Sequence, residues 1–229
     1  MTGSSWCGPS PVADRLTIGD RRLYLCTADR PDLEQFLAAC IEGGVDIVQL
    51  RDKVLDARPL LVRAALARRV CHDHGVPFVL NDRPDLALEV EADGVHVDQD
   101  DAPPALARRL LGPDAIVGFS THAPAELDGA ADEPADYLSA GPVSPTPTKP
   151  GRPGTGLDYL TYASEHAAKP WFVTGGVTPG TIPDMVVAGA RRFVVVRYLT
   201  ESDDPRRAAR ALRDAVDASV NDRADAPRP

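Results

Sequence analysis

Short apolar runs alternate along the chain with longer stretches in which apolar residues recur at helical spacing. Residues 23–27, Leu-Tyr-Leu-Cys-Thr, form a run typical of a buried strand. In residues 31–43 the apolar positions step by three and four, with a proline near the start and a glycine at the end. That pattern predicts an amphipathic helix, and the same strand–helix unit then repeats.

Eight such units can be counted. The predicted strands cover residues 23–27, 45–50, 77–81, 94–97, 115–119, 137–140, 171–174 and 192–196. The helices that follow them cover residues 31–43, 57–74, 84–90, 103–111, 123–131, 157–167, 179–188 and 205–218. Because a doubly wound sheet more often has five or six strands, this α/β pattern predicts a single (β/α)8 TIM barrel.

The ends of the chain are too polar to join the barrel core. We therefore expect a flexible N-terminal segment at residues 1–20, the TIM-barrel catalytic domain at residues 21–218 and a disordered C-terminal tail at residues 219–229. Residues 141–154, GPVSPTPTKPGRPG, have the composition of a linker. They lie between the sixth strand and its helix, so we interpret them as the sixth strand-to-helix loop of one domain.

Charge and composition narrow the class of partner. The net charge of −9 argues against binding to nucleic acid or to an anionic membrane, which need a basic surface. No apolar run approaches the roughly 20 residues that span a bilayer, so we expect a cytoplasmic protein. The four cysteines lack zinc-ligand spacing and are expected to be reduced and mostly buried. Because the net charge is negative, any anionic ligand must be bound by a local group of positive charges.

Barrel enzymes place their chemistry at the C-terminal ends of the strands, where this chain carries several polar groups. After the second strand, Gln49, Arg51 and Lys53 alternate and so face the same way. Two cations and an amide are suited to a polyanion such as a diphosphate. A salt-bridged rim is the alternative, and the motif alone does not decide between them.

Carboxylates follow the next two strands. Asp82 and Asp101 are the candidate ligands of a Mg²⁺ ion that would share diphosphate oxygens. For Asp98, Asp100 and Asp101 the alternative is capping of the next helix, and we expect one of the three to do only that. His96 lies within the fourth strand, where a structural interior histidine is favoured over a catalytic one.

The remaining strand ends suggest a second anion site. Ser120 follows the fifth strand and is suited either to donating a hydrogen bond to a ligand or to capping the next helix. Gly175 and Gly176 follow the seventh strand, where glycine lets the backbone approach a phosphate, and Arg197 adds a cation after the eighth.

Together these motifs resemble the thiamine-phosphate synthase family. The similarity covers nearly the whole chain from Leu23 to about Pro205, and the order and spacing of the motifs are more specific than any one of them. The matching segments are residues 49–53 (QLRDK), 81–82 (ND), 93–97 (DGVHV), 99–101 (QDD), 118–122 (GFSTH), 141–149 (GPVSPTPTK), 175–176 (GG) and 195–196 (VV).

The resemblance implies a transferase that joins hydroxymethylpyrimidine diphosphate to thiazole phosphate, giving thiamine phosphate and diphosphate. It implies a dissociative, Mg²⁺-assisted substitution in which diphosphate leaves before the thiazole nitrogen attacks. The implied catalytic residues are Arg51, Lys53, Ser120 and Lys149. The implied substrate contacts are Gln49, Arg51, Lys53, Asn81, Ser120, Thr146, Thr148, Lys149, Gly176, Val196 and Arg197, with Mg²⁺ on Asp82 and Asp101.

Two alternatives stay open at this point. One is a paralogue of the same barrel that acts on thiazole phosphate alone as a tautomerase, or regulates; the other is a non-catalytic phosphate-binding module. The presence of the diphosphate and metal residues favours the synthase. The sequence also leaves the oligomeric state open, with a homo-oligomer as one alternative.

Overall fold

The computed structural model describes residues 15–145 and 154–224, with side chains described up to residue 220. Eight parallel strands close into a barrel in chain order, with β1 hydrogen-bonded to both β2 and β8, which confirms the predicted (β/α)8 fold. The strands are β1 (Leu23–Thr27), β2 (Ile47–Leu50), β3 (Phe78–Asn81), β4 (Gly94–Val97), β5 (Ile116–Thr121), β6 (Tyr137–Ala140), β7 (Trp171–Val173) and β8 (Phe193–Val195).

Helices cover the outside of the barrel. They are α1 (Leu33–Glu42), α2 (Ala57–Asp73), α3 (Pro84–Glu89), α4 (Pro104–Leu111), α5 (Pro124–Gly129), α6 (Gly156–His166), α7 (Ile182–Val187), α8 (Arg197–Thr200) and α9 (Pro205–Ala224). None of the helices in the described residues has the length and apolar character needed to cross a membrane.

Strand residues divide between two cores because successive side chains point to opposite faces of a sheet. Residues such as Leu23, Leu25 and Val48 pack outward against the helices in the main hydrophobic cluster. The alternate strand residues fill the barrel interior in a smaller cluster, together with Ile18 from the segment before β1: Tyr24, Ile47, Val79, Ile116, Tyr137 and Phe172. The interior is therefore packed below the level at which the polar strand-end residues begin.

Apart from small shifts in the bounds of several strands and helices, the observed elements differ from the predicted ones in two places. Helix α9 ends at Ala224 rather than at residue 218, so the chain stays helical into the segment expected to be a disordered tail. The four-residue helix α8, which begins at Arg197 directly after β8, was not predicted because one turn is too short to show a helical period. Cys26, Cys40 and Cys71 are buried and form no disulfide among the described residues.

Residues 15–20, assigned from sequence to the flexible N-terminal segment, contact the barrel. Ile18 is buried, and the backbone N–H of Leu16 donates to Asp93 Oδ1 at 2.9 Å. Asp93 is fully buried, and its Oδ2 accepts from Phe78 N at 2.8 Å and from His72 Nε2 at 2.9 Å. This carboxylate therefore joins the N-terminal segment to β3 and α2.

Replacing Asp93 by asparagine is expected to lower the free energy of unfolding by about 1–3 kcal/mol. Both carboxylate oxygens accept from donors, so the new amide nitrogen would face a donor without an acceptor. Urea unfolding measures the change, and Asp73→Asn, at an exposed carboxylate 3.6 Å from Arg69, is the control. Equal effects of the two substitutions would contradict this role for Asp93.

Candidate active site

A cavity of about 320 Å³ opens at the C-terminal mouth of the barrel. Gln49, Arg51 and Lys53 line it beside β2, and residues 174–178 and the start of α8 line it beside β7 and β8. The predicted strand-end residues of the two sides therefore face one shared space. Its position agrees with the general placement of active sites in TIM barrels.

The three residues after β2 line this cavity but have different surroundings. Gln49 is buried, and its Nε2 donates to the Tyr24 hydroxyl at 3.0 Å. Lys53 Nζ forms an ion pair with Asp82 Oδ2 at 2.9 Å. The Arg51 side chain makes no ion pair with any residue in the described ranges. A salt-bridged rim thus accounts for Lys53 and leaves the charge of Arg51 available to an anion.

Asp82 and Asp101 come together beside Lys53, as expected for a shared metal. The Asp101 carboxyl is hydrogen-bonded to that of Asp82; burial, and then this neighbour, raise the pKa of Asp101 to about 6. Asp82 has φ of 62°, a left-handed conformation that aspartate adopts more readily than most residues, and its N–H donates to His96 O at 2.8 Å. The backbone therefore holds the two carboxyl groups against each other.

This pair fits Mg²⁺ by its chemistry. Two adjacent carboxyl groups have oxygen ligands to offer and a mutual repulsion that a dication would relieve. Among the described residues no cluster of three or more His, Cys, Asp or Glu side chains could hold a metal. An ion here would complete its shell with water and substrate oxygens, which is the usual pattern for Mg²⁺.

The capping alternative for the aspartates after β4 is wrong for α4. Its N-cap is Pro103, and no side chain caps the helix. Asp98 instead accepts from Gln99 N at 2.9 Å, and its Oδ1 lies 3.5 Å from His122 Nε2. The Asp98 N–H donates to Asp101 Oδ2 at 2.9 Å, which holds the Asp101 carboxyl in place.

Ser120 lies within β5, which extends to Thr121 rather than ending at Phe119. Helix α5 has Ala123 at its N-cap without a side-chain cap, so Ser120 does not cap it. Its hydroxyl lies in the cavity wall, 3.0 Å from His96 Nε2. Asn81, at the end of β3, is buried and also lines the cavity.

Gly175 and Gly176 both have positive φ, 86° and 77°. A Cβ on Gly175 would lie 2.5 Å from Pro142 Cβ, and one on Gly176 would lie 3.0 Å from Ser144 Oγ. These glycines let the loop after β7 pack directly on the loop after β6. Val196 follows the last residue of β8 and lines the cavity. Arg197, the first residue of α8, is exposed and also lines the cavity.

Thr146, Thr148 and Lys149 lie outside the described residues. The loop that carries them connects β6 to α6, as predicted, and both of its described ends are anchored at the mouth. Val143 N donates to Thr174 O at 2.8 Å, and Thr155 N donates to Pro142 O at 2.8 Å.

Sequence reasoning missed the polar floor of the cavity and part of its rim. Tyr24 and Cys26 of β1 and Tyr137 and Ser139 of β6 line the floor. Each pair is spaced by two, so the alternation of strand side chains that grouped Gln49 with Arg51 also applied to them. The rim residues Tyr198 and Glu201 carried no such signal, because they depend on the unpredicted helix α8.

Comparisons with known proteins agree with this site and fold. A sequence model described as thiamine monophosphate synthase matches residues 23–199. Thiamine-phosphate synthase of Thermobifida fusca is 50% identical over 205 residues, covering 87% of this chain and 94% of that protein. The Thermus thermophilus protein of the same name is also 50% identical over 205 residues, covering 85% of this chain and 97% of that protein.

Solved structures give the same result. Thiamine phosphate pyrophosphorylase from Pyrococcus furiosus superimposes with a TM-score of 0.80 at 28% identity, covering 88% of this chain and 98% of that one. A 3-hexulose-6-phosphate synthase, at 21% identity and a TM-score of 0.67, shares the fold alone. Because the family model matches most of its length and two relatives are 50% identical in sequence, the chain belongs to the thiamine monophosphate synthase family.

Proposed function

We propose that the cavity binds hydroxymethylpyrimidine diphosphate and thiazole phosphate and joins them to form thiamine phosphate, with release of diphosphate. One observation carries this proposal: two separate regions suited to anions line a single cavity. Arg51 and Lys53 lie on one side and the Gly175–Gly176 turn with Arg197 on the other. A reaction between two phosphorylated molecules needs such a pair of regions.

We place the diphosphate beside β2 to β4. Arg51 has no ion pair within the described part of the chain, so its planar fork is available to phosphate oxygens. Asp82 and Asp101 would hold Mg²⁺, which would neutralise charge on the diphosphate as it leaves. Lys53 forms an ion pair with Asp82 and lines the cavity, so its charge would lie close to the proposed metal ligands and to the diphosphate.

We place the thiazole phosphate beside β7 and β8. Loops after these strands, together with a short helix, form the phosphate site of many TIM barrels, and α8 occupies that position here. Gly176 and Val196 would contribute backbone N–H groups, and Arg197 a charge. From the family resemblance, Thr146 and Thr148 of the β6–α6 loop would bind this phosphate, and Lys149 would contact the diphosphate.

The proposed reaction is a substitution at the methylene carbon of the pyrimidine. The carbon–oxygen bond to diphosphate breaks with its electron pair leaving on oxygen, and the thiazole nitrogen then forms the new carbon–nitrogen bond. Negative charge grows on the leaving group, so Arg51, Lys53, Lys149 and the Ser120 hydroxyl would stabilise the transition state more than the bound substrate. The protein contributes position and charge, with little demand for acid–base catalysis.

The two alternatives account for less of the site. A protein that handles thiazole phosphate alone would have no use for the Arg51 charge or for two carboxyl groups held in contact. A phosphate-binding module would not need two anion regions in one cavity.

Incubation of the protein with both half-molecules and Mg²⁺ tests the proposal. We expect thiamine phosphate and diphosphate in equal amounts, and neither product when either half-molecule is omitted. Thiazole phosphate alone serves as the control for the tautomerase alternative, followed by NMR. Binding of thiazole phosphate without formation of thiamine phosphate would overturn the synthase proposal.

A further inference from the structure

A continuous chain of hydrogen bonds runs around the polar floor of the cavity and contacts five of the eight strands. Cys26 Sγ donates to Gln49 Oε1 at 3.0 Å, and Gln49 Nε2 donates to the Tyr24 hydroxyl at 3.0 Å. The Tyr24 and Tyr137 hydroxyls lie 2.9 Å apart, and the Tyr137 hydroxyl lies 2.9 Å from His96 Nδ1. His96 Nε2 lies 3.0 Å from Ser120 Oγ.

The position of each hydrogen in this chain follows from counting donors and acceptors. The Tyr24 oxygen accepts from Gln49, so the Tyr24 hydrogen has only the Tyr137 oxygen to donate to. The Tyr137 hydrogen then goes to His96 Nδ1, which leaves the ring hydrogen on Nε2. His96 Nε2–H therefore donates to Ser120 Oγ.

The opposite direction leaves a buried group unsatisfied. If Ser120 donated to His96, and His96 to Tyr137, the Tyr137 hydrogen would point at Tyr24. The Tyr24 hydrogen would then face the amide donor of Gln49, inside the barrel where Tyr24 is almost completely buried. Leaving a buried hydroxyl without an acceptor is costly. With the Gln49 amide oriented so that Oε1 accepts from the Cys26 thiol, its Nε2 is the group that faces the Tyr24 hydroxyl, and this sets the direction.

Burial keeps the hydrogens of the chain in place. Desolvation by burial raises the pKa of Tyr24 and of Tyr137 far above the ordinary value for tyrosine, so both phenols stay protonated at the working pH. Ser120 also accepts from Ser139 Oγ at 3.3 Å. His96 Nε2 and Ser139 Oγ both donate to the Ser120 oxygen, and the Ser120 hydroxyl hydrogen is not used within the described residues.

We propose that this chain of hydrogen bonds holds His96 as the Nε2–H tautomer. The Ser120 hydroxyl hydrogen is thereby turned toward the cavity, where it can donate to a ligand oxygen. Tyr24, Tyr137 and His96 act as positioning residues for Ser120. The identity of that oxygen, on the leaving diphosphate, rests on the proposed function. The tautomer and the direction of the chain do not depend on it.

The tautomer is measured on the free protein by ¹⁵N NMR of the labelled histidines, with a His96→Asn variant to assign the signals. We expect the ¹⁵N chemical shift of His96 Nδ1 to be that of an unprotonated, accepting nitrogen and the shift of Nε2 to be that of a protonated nitrogen. In Tyr137→Phe the two tautomers should mix, whereas Tyr159→Phe should leave the signals unchanged. Tyr159 is the matched control because its buried hydroxyl donates to Thr121 Oγ1, outside the chain. The reverse tautomer in the wild type, or no change in Tyr137→Phe, would overturn the proposal.

A double-mutant cycle tests whether Tyr137 acts through Ser120. Ser120→Ala should lower kcat about 10²-fold with little change in KM, because its hydrogen bond strengthens as charge develops. Tyr137→Phe should lower kcat about tenfold in the wild type and hardly at all in the Ser120→Ala background. Equal effects in both backgrounds would show that Tyr137 does not act through Ser120. If the wild type makes no thiamine phosphate, the proposed function fails, while the NMR result still decides the direction of the chain.

Discussion

Replacing Arg51 by alanine is expected to lower kcat/KM for thiamine phosphate formation by about 10²–10³-fold. Arg51 lines the cavity on the side proposed for the diphosphate, and its side chain has no ion pair within residues 15–145 and 154–220. We expect its charge to act on the leaving group, whose negative charge grows in the transition state. Steady-state kinetics with both half-molecules measures the loss.

The fold should be unaffected by this substitution. The structural contact of Arg51 is made by its backbone, whose N–H donates to Thr27 O at 2.7 Å and is kept in alanine. We expect the free energy of unfolding to change by less than about 0.5 kcal/mol. Arg51→Lys keeps the charge but loses the planar fork, so it should recover only part of the activity.

A matched control separates the local role of Arg51 from a general loss of positive charge. Arg69 lies on α2, does not line the cavity and is about half exposed. It forms an ion pair with Glu34 at an N–O distance of 2.8 Å. Arg69→Ala should leave kcat/KM within about twofold of the wild type. Activity of Arg51→Ala equal to that of Arg69→Ala would remove Arg51 from the mechanism.

The second large effect is expected at the proposed metal ligands. Asp82→Asn and Asp101→Asn should each lower activity at least about 10²-fold and weaken Mg²⁺ binding. Asparagine is the appropriate replacement at position 82, because the φ of 62° there is tolerated by asparagine better than by alanine. A loss of function in Asp82→Asn would then report the missing carboxylate rather than a distorted loop.

The binding of Mg²⁺ itself provides a readout that does not depend on turnover. The pKa of Asp101, raised to about 6 by burial and by the adjacent Asp82, means that a proton competes with the metal below that pH. Mg²⁺ affinity measured by calorimetry should therefore increase as the pH rises from about 5 to 7. This dependence should be reduced in Asp101→Asn, which has no carboxyl proton to displace.

Asp85 supplies the control for these variants. It is an exposed carboxylate on α3 paired with Arg83 at 2.6 Å, and Asp85→Asn should change neither activity nor Mg²⁺ affinity. If Asp82→Asn and Asp101→Asn bound Mg²⁺ like the wild type and with the same pH dependence, the ion would have to be held elsewhere.

Local pattern alone was sufficient to predict the barrel and much of its mouth. Each strand is a short run bounded by glycine, proline or polar residues, and each helix shows its own period, so neither requires knowledge of distant partners. Because strand side chains alternate and all eight strands are parallel, Gln49, Arg51 and Asn81 could be assigned to the same mouth before any contact was known.

Other features depend on residues far apart in the chain and could be seen only in the folded barrel. The Lys53–Asp82 ion pair, the contact between the Asp82 and Asp101 carboxyl groups, and the packing of Gly175 on Pro142 all join neighbouring loops. Whether Asp98 caps a helix or supports Asp101 also depended on the path of the loop after β4.

The hydrogen-bond chain from Cys26 to Ser120 shows the physical reason for this division. Secondary structure and the facing of side chains arise from interactions over a few residues, which periodicity in the sequence records. The direction of the chain depends on the register of β1, β2, β4, β5 and β6, which brings six polar side chains into contact inside the barrel. No pattern along the sequence specifies which of their atoms meet, so the sequence predicted where chemistry would lie and the closed barrel decided how its groups are arranged.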